Sequence, residues 1–507
     1  GGGEPPSNAE ELHSLIMGDG APRLEHMAFS VCGLGDSDYA HFCQCGKDFD
    51  RRLAELGGQR VAARVDCDVD FEDSWEEWLA AILDTAPSLD LASVEHGEPP
   101  ADLSDQFSVQ GGQPGETSTG RSDPIPSPVP RTGSHKIAPL GTRKNPYFAT
   151  VLENINLNGV ASQKETRHIA LSLKDSGMKY KVGDSLGLFP RNCPDLVRRI
   201  LAAVGIPRNT PVKHDGHWYT IRDVLIYRKD VNQVDRRLLG LAARHRVSFF
   251  EGLLDDKDAT KRYIEEHHVI DCVQAAGIVP EPMEFIQSLR PLAPRLYSIA
   301  SSPAAYPSEV HLTVDVLRYS MHGTQRKGVS STFLGERAGP GVEVAVYLQA
   351  TKEFLLCDES TPIIMVGPGT GIAPFRAFLL EREATGASGQ SWLFFGSQHE
   401  ATDFLYQEEL RGWLDDGLLA RLDTAWSRDQ TQKIYVQDRM FENGASIYRW
   451  LETGASLYVC GDASRMAKDV EATLLRIIQV FGRRSRKAAQ VYLDTLGKAG
   501  RYLRDVY

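Results

Sequence analysis

Ile363-Ile364-Met365-Val366-Gly367-Pro368-Gly369-Thr370-Gly371-Ile372-Ala373-Pro374-Phe375-Arg376 decides the fold of this chain. Four apolar residues run into a turn of small residues, and a helical stretch through Glu383 follows. Small residues let backbone amides approach a pyrophosphate, and a helix N-terminus behind them favours the anion. The glycine spacing is GxGxG and differs from the GxGxxG of ordinary dinucleotide folds. Gly369 and Thr370 are the candidate contacts.

Downstream, apolar strands at Ser391–Phe395, Ala420–Ala425 and Ser456–Val459 alternate with helical stretches, the rhythm of a doubly wound parallel sheet. A C-terminal doubly wound α/β domain, residues 356–507, is therefore expected to bind a nucleotide at its strand ends. Ala425-Trp426-Ser427-Arg428-Asp429 closes one strand, and Lys433-Ile434-Tyr435-Val436-Gln437 follows. Ser427, Arg428 and Lys433 offer a hydroxyl, a planar fork and a point charge to a 2'-phosphate, with Tyr435 available to stack on adenine. No acidic residue stands at Ser427 or Arg428, which favours NADPH over NADH.

Upstream, period-2 segments such as Thr166–Leu173 and Val310–Val316 predict an antiparallel barrel over 140–355, and the pattern turns helical over about 195–289. A helical insertion within the barrel is expected. Arg295-Leu296-Tyr297-Ser298 places a cation, an aromatic ring and a hydroxyl on one barrel strand, the parts that a flavin requires. Residues 86–139 are rich in Pro, Gly, Ser and acidic residues without periodicity, which reads as a flexible linker. Residues 1–85 alternate helical and strand signals: an apolar run at Met27–Leu34, an amphipathic stretch at Phe42–Leu56, a strand at Arg60–Val65 and a Trp-bearing helix at Ser74–Leu83. That is the back half of an α/β sheet.

The 507 residues carry a net charge of -12, which argues against nucleic acid and anionic membranes and suits a basic protein partner. No run reaches the roughly 18 apolar residues of a membrane span, and no leader is recognisable, so the cytoplasm is expected. Eight scattered cysteines lack paired CxxC elements and are expected to be free thiols, with no metal site.

The string Gly367–Arg376 resembles the NADP module of the ferredoxin-reductase family, and Arg295-Leu296-Tyr297-Ser298-Ile299-Ala300-Ser301-Ser302 resembles its flavin signature. With Leu34-Gly35-Asp36-Ser37-Asp38-Tyr39 in front and Arg504-Asp505-Val506-Tyr507 at the end, the order of motifs resembles the NADPH-dependent diflavin reductases. The ending and the string Ala425–Gln430 look most like the branch that serves sulfite reductase. The resemblance implies a flavodoxin-like remnant, a linker, a ferredoxin-reductase-type FAD barrel with its helical insertion, and an NADP-binding domain. It implies FAD contacts at Arg295, Leu296, Tyr297, Ser298, Thr313, Val314, Asp315 and Tyr319, the last at adenine, and in a turn at Gly328, Val329, Ser330 and Ser331. Thr313 to Tyr319 is read as one supporting strand. Ser298, Cys460 and Asp505 would form the catalytic polar setting, Tyr507 would lie over the flavin, and Asp469 would meet the nucleotide. Leu34, Gly35, Asp36 and Tyr39 would serve FMN in the full-length protein.

The implied path runs from NADPH to FAD to FMN and on to a sulfite reductase haemoprotein subunit with sirohaem and an iron-sulfur centre, in an oligomeric complex. An alternative is another haemoprotein acceptor, such as a cytochrome, and a third reading is a non-catalytic scaffold. The opening Gly1-Gly2-Gly3-Glu4-Pro5-Pro6 resembles the end of an FMN loop, so the expectation is a chain without the front half of its FMN domain and with poor FMN binding.

Overall fold

The computed structural model describes residues 5, 10–18, 20–25, 27–35, 42–67, 72–85, 139–245 and 248–507. Asp36, Tyr39 and, apart from Pro139, the stretch read as a linker lie outside the described residues. The chain divides into two units, Gly1–Pro128 and Val129–Tyr507.

In the first unit, α1 (Glu10–Met17), β1 (Ala28–Phe29), β2 (Cys32–Leu34), α2 (Gln44–Glu55), β3 (Gln59–Arg60), β4 (Val65–Cys67) and α3 (Glu72–Thr85) follow in order. β1 pairs with β3 and β2 with β4, both parallel. The single strand expected at Arg60–Val65 is interrupted. Ala28 faces Gln59 but Cys32 faces Val65, so the second strand carries two extra residues between its pairings and bulges there. Trp78 anchors α3 by donating its indole N–H to Ser30 Oγ at 2.7 Å.

The second unit begins with β5 (Tyr147–Asn156), β6 (Thr166–Ser172) and β7 (Ser185–Leu188). The helices α4 (Pro194–Ala203), α5 (Ile221–Tyr227), α6 (Arg236–Arg244), α7 (Ser248–Asp255), α8 (Lys257–Glu266), α9 (Val269–Ala276) and α10 (Pro282–Gln287) leave and return to the barrel. Within them a hairpin of β8 (Pro211–His214) and β9 (His217–Thr220) departs from the expected all-helical pattern. Its two-residue turn, Asp215 and Gly216, takes positive φ of 48° and 83°, the turn that suits tightly paired strands.

The barrel resumes with β10 (Arg295–Ser298) and β11 (Glu309–Asp315), then β12 (Arg318–Met321), β13 (Thr324–Lys327), α11 (Val329–Arg337) and β14 (Glu343–Gln349). Its strand order is β10-β7-β14-β5-β6-β11, antiparallel throughout, and an Ile299–Leu312 bridge brings the two edges together. Inward residues such as Val151, Ile169, Leu186 and Leu312 fill it.

Two expectations are corrected here. Thr313 to Tyr319 is not one strand: Val316 donates its N–H to Glu165 O, Leu317 turns outward, and Arg318 pairs with Lys327 in a separate hairpin. Gly328–Ser331 is not a turn but a helix start. Gly328 is the N-cap of α11, and its carbonyl accepts from both the N–H and the hydroxyl of Thr332.

The remaining elements are β15 (Ile363–Val366), α12 (Ala373–Thr385), β16 (Ser391–Ser397), α13 (Glu400–Asp403), α14 (Gln407–Asp415), β17 (Leu419–Trp426), α15 (Val436–Glu442), α16 (Gly444–Glu452), β18 (Ser456–Gly461), α17 (Met466–Phe481), α18 (Arg486–Lys498) and β19 (Tyr502–Val506). The sheet is parallel in the order β17-β16-β15-β18-β19. Every residue of β15 is buried, because one core lies on each face of the sheet. β19 adds a fifth strand to the four read from sequence. Strand order reverses between β15 and β18, so a crevice for ligand opens at their C-terminal ends.

Candidate active site

That crevice is shaped by the Gly-rich turn. Gly369 takes φ +57° into open space, and a Cβ on Gly371 would stand 2.2 Å from Cys460 O. The turn after β15 therefore rests on the end of β18, which explains why the third glycine comes one residue early. A short 3-10 turn, Gly369–Ile372, leads into α12.

On the other wall stands Ser298, the last residue of β10. Its hydroxyl donates to Asp505 Oδ2 at 2.6 Å, and Cys460 Sγ approaches the same oxygen at 3.8 Å. Cys460 and Asp505 face each other across β18 and β19. Burial first, and then the Asp505 charge, push the Cys460 thiol well above the ordinary range, so it stays protonated at neutral pH and does not act as a nucleophile. Beside this group, Tyr507 OH lies 2.8 Å from Thr370 Oγ1, and burial raises its phenol. Ser298, Cys460, Asp505, Thr370 and Tyr507, dispersed in sequence, are thus one constellation.

On the barrel, Tyr297 OH donates to Ser330 Oγ at 2.8 Å, tying β10 to the start of α11. Burial raises the Tyr297 phenol. The first N–H groups of α11, on Val329, Ser330 and Ser331, have no carbonyl a turn behind them, a cradle suited to a diphosphate. Arg295 and Leu296 are exposed, while the Thr313 and Val314 side chains are buried on opposite faces of β11, Thr313 against Tyr406 and Val314 in the barrel core, so those two can offer a ligand only their backbone. Asp315, at the exposed end of β11, has its carboxyl raised by desolvation against its neighbours. Tyr319 OH lies 2.8 Å from His268 Nε2. An anion cradle, a cation and a hydroxyl next to a half-buried carboxylate fit FAD.

At the end of β17, Ser427 Oγ donates to Ser397 O at 3.2 Å. Arg428, Lys433 and Tyr435 are exposed, and Arg428 Nη1 donates to Gln163 Oε1 at 3.1 Å. Asp429 follows Arg428, but its carboxylate faces away from that role. It accepts from the Glu400 N–H at 2.8 Å, which holds it below the ordinary range, and from His399 at 2.7 Å. Ile434 is half-buried and Val436 buried, so of the Lys433–Gln437 string chiefly Lys433 and Tyr435 present side chains outward. Gln437 Nε2 reaches Asp469 Oδ2 at 3.4 Å, joining α15 to α17. The half-buried hydroxyl and the exposed guanidinium, ammonium and ring fit a phosphorylated adenosine.

In the first unit, Leu34 is exposed and Gly35 donates its N–H to Cys67 O at 2.9 Å. A Cβ on Gly35 would lie 2.8 Å from Cys43 Sγ. Among the described residues no group of three or more His, Cys, Asp or Glu side chains could hold a metal ion. Gln163 was missed by sequence reading, because nothing in its loop signals that it meets a residue 265 positions away. The Tyr502–Val506 strand escaped because its residues, Tyr-Leu-Arg-Asp-Val, do not alternate between apolar and polar.

The oxidoreductase NAD-binding domain family matches residues 365–472, the FAD binding domain family matches 141–223 and 249–333, and the flavodoxin family matches 1–78. The chain is 43% identical over 516 residues to the sulfite reductase (NADPH) flavoprotein alpha-component of Bacillus subtilis, covering 100% of this chain and 80% of that protein. It is 41% identical over 509 residues to the Klebsiella pneumoniae protein of that name and 41% over 513 residues to the Escherichia coli one, with the same coverage.

Proposed function

The chain belongs to the sulfite reductase (NADPH) flavoprotein alpha-component family, and from that premise we propose that it takes electrons from NADPH and delivers them to a sulfite reductase haemoprotein. FAD, when bound, supplies the hydride acceptor, and it and FMN together convert a two-electron donation into single-electron steps. The protein binds, orients and shields. We assign the flavodoxin-like FMN segment to 1–85, the FAD module to 140–355 and the NADP module to 356–507.

The observation that carries this reading is the Ser298-Asp505-Cys460 group, which joins the last residue of the flavin strand to the ends of the nucleotide sheet. Asp505 Oδ2 receives Ser298 Oγ–H, which fixes the hydroxyl's orientation. NADPH, held at its 2'-phosphate by Ser427, Arg428 and Lys433 and over the diphosphate by Gly369 and Thr370, leaves as NADP+. The protonated Cys460 packs beside the nicotinamide without reacting, and Tyr507 covers the ring face until the nicotinamide arrives.

No helix among the described residues is long and apolar enough to cross a membrane. The eight cysteines are free thiols, which supports a reducing cytoplasm. An assembly with the haemoprotein in several copies belongs to the same proposal.

The test is anaerobic. NADPH should bleach the flavin absorbance of the purified protein, NADH should do so far more slowly, and sulfite reductase haemoprotein added with sulfite and FMN should restore the colour. A protein that gives its electrons to a c-type cytochrome and not to that haemoprotein would overturn the acceptor assignment.

A further inference from the structure

Arg376 ends the Gly-rich string, yet it serves the barrel side. It is 3% exposed. Its Nη1 donates to Ala300 O at 2.8 Å and lies 3.3 Å from His311 Nδ1, while Nε and Nη2 donate to Glu409 at 2.6 and 2.7 Å. The guanidinium stands 4.8 Å over the ring of Tyr406. Tyr406, in a left-handed conformation at φ 55°, sets its hydroxyl 2.7 Å from Thr313 Oγ1 and 3.0 Å from His168 Nδ1.

These contacts form one packed group with two sides. Ala300, His311, Thr313 and His168 belong to β6, β11 and the segment that leaves β10. Arg376 belongs to α12, Tyr406 to the N-cap of α14 and Glu409 to α14, all of the nucleotide module. Ala300 stands two residues beyond Ser298, and α12 begins where the Gly-rich turn ends.

We propose that Arg376, with Tyr406, is a positioning residue that fixes the separation between the flavin-bearing strands and the nucleotide-bearing turn. The proposal rests on the functional reading above. Packed interiors transmit displacements because they have few voids to absorb them. A small shift at Arg376 would therefore reach Ser298 on one side and Gly369 on the other. The buried charge is sustained locally: burial works against the guanidinium, and the Glu409 hydrogen bonds outweigh it, leaving it firmly protonated. Burial and the Arg376 charge hold His168 and His311 at about 3, so both stay neutral and do not repel it.

Arg376→Met removes the hydrogen bonds while keeping the stem, and Tyr406→Phe removes only the hydroxyl. Each variant is compared with wild type in four measurements: FAD content, 2',5'-ADP affinity, the stopped-flow rate of bleaching by NADPH, and the long-wavelength charge-transfer absorbance when NADP+ meets the dithionite-reduced protein. FAD content and 2',5'-ADP affinity should stay within about twofold, because neither variant removes a group assigned to the flavin or to the 2'-phosphate, while bleaching slows roughly tenfold or more in Arg376→Met and about threefold in Tyr406→Phe. The charge-transfer absorbance should weaken in the same order. Unchanged bleaching and absorbance in FAD-loaded variants would overturn the proposal alone. So would a rate loss that merely tracks lost FAD or lost 2',5'-ADP binding. If Arg376→Met does not fold, Tyr406→Phe decides by the same criteria. A wild-type protein that NADPH does not bleach overturns the functional reading and this proposal with it.

Discussion

Removing the Tyr507 ring should open the site to NADH. The backbone of Tyr507 is fixed on both sides, its N–H donating to Gly461 O at 3.1 Å and its carbonyl accepting from Ala463 N at 3.0 Å. Tyr507 as a residue, chain terminus included, is 63% exposed, and its hydroxyl has a contact of 2.8 Å with Thr370. The ring can swing without unpairing β19. The hydroxyl bond contributes about 0.5 to 1.5 kcal/mol and a stack on the flavin about 0.5 to 1.5 more. Exposure puts the sum near the low end, about 1 to 2 kcal/mol, which is a factor of roughly 5 to 30. Nicotinamide has to overcome that cost, and NADPH keeps its grip through the 2'-phosphate while the ring moves, whereas NADH cannot. Tyr507→Ala should therefore raise kcat/KM for NADH, with ferricyanide as acceptor, by about 5- to 30-fold, and raise it less for NADPH. Tyr507→Phe loses only the Thr370 contact and should gain about two- to fivefold. The assay is steady-state kinetics of both nucleotides at equal FAD occupancy. An unchanged NADH to NADPH ratio of kcat/KM in Tyr507→Ala would refute the reasoning.

Arg428→Ala should weaken 2',5'-ADP binding by a factor of about 10 to 150, the worth of a charge-assisted contact, and leave NADH nearly unaffected. Equal losses for both, by calorimetry, would make Arg428 a structural residue. Gly371→Ala should lower stability by about 1 to 3 kcal/mol, because its Cβ would meet the Cys460 carbonyl at 2.2 Å and backbone must move. Gly369→Ala, in open space, should lose only the left-handed strain of roughly 1 to 2 kcal/mol, and urea melts that rank the two the other way would contradict the packing argument. His168 and His311 lie at about 3 in the fold against about 6.5 unfolded, so their contribution to stability is complete above pH 6.5. Below that the unfolded chain takes up the protons, and stability should fall by about 1.4 kcal/mol per pH unit for each histidine until about pH 3. Urea midpoints at pH 7.5, 6 and 5 measure it, and His168→Gln should make the decline shallower.

The proposed site was legible wherever the chemistry would demand a short contiguous string. A Gly-rich turn needs small residues in sequence because one backbone segment alone would close on a phosphate, and the proposed flavin strand carries its cation, ring and hydroxyl within four residues. What escaped is what tertiary contact decides. The break after Asp315 follows from a bond between Val316 and Glu165, and the helical state of Val329–Arg337 follows from Thr332 reaching back to the Gly328 carbonyl. Neither partner is marked by period or propensity. The bulge between β3 and β4 escaped for the same reason, since a register shift leaves the apolar pattern of either segment readable as one strand. Arg376 was quoted as part of a motif while its function pointed elsewhere, because a motif read as a nucleotide cradle hides a residue that faces the other way.

Burial divides the proposed site into two kinds of group, and the division bears on catalysis. Arg428, Lys433 and Tyr435 stand exposed on the surface of the nucleotide module, where they can capture a charged ligand without a prior loss of solvation in the crevice. Ser298, Cys460 and Asp505 are already bonded to one another and partly or wholly enclosed. Binding energy from the remote phosphate can then be spent on bringing nicotinamide into a polar setting that needs no rearrangement. The same division explains why a raised Cys460 pKa is useful there: a thiolate beside Asp505 would repel it and unsettle the Ser298 bond, whereas a thiol keeps the carboxylate's geometry fixed. Exchanging Cys460 for Ser retains a donor to Asp505 and should cost little, while exchange for Asp should break the Ser298 contact and slow bleaching by NADPH sharply. Equal rates for the two variants at equal FAD content would show that the crevice does not depend on a neutral group at that position.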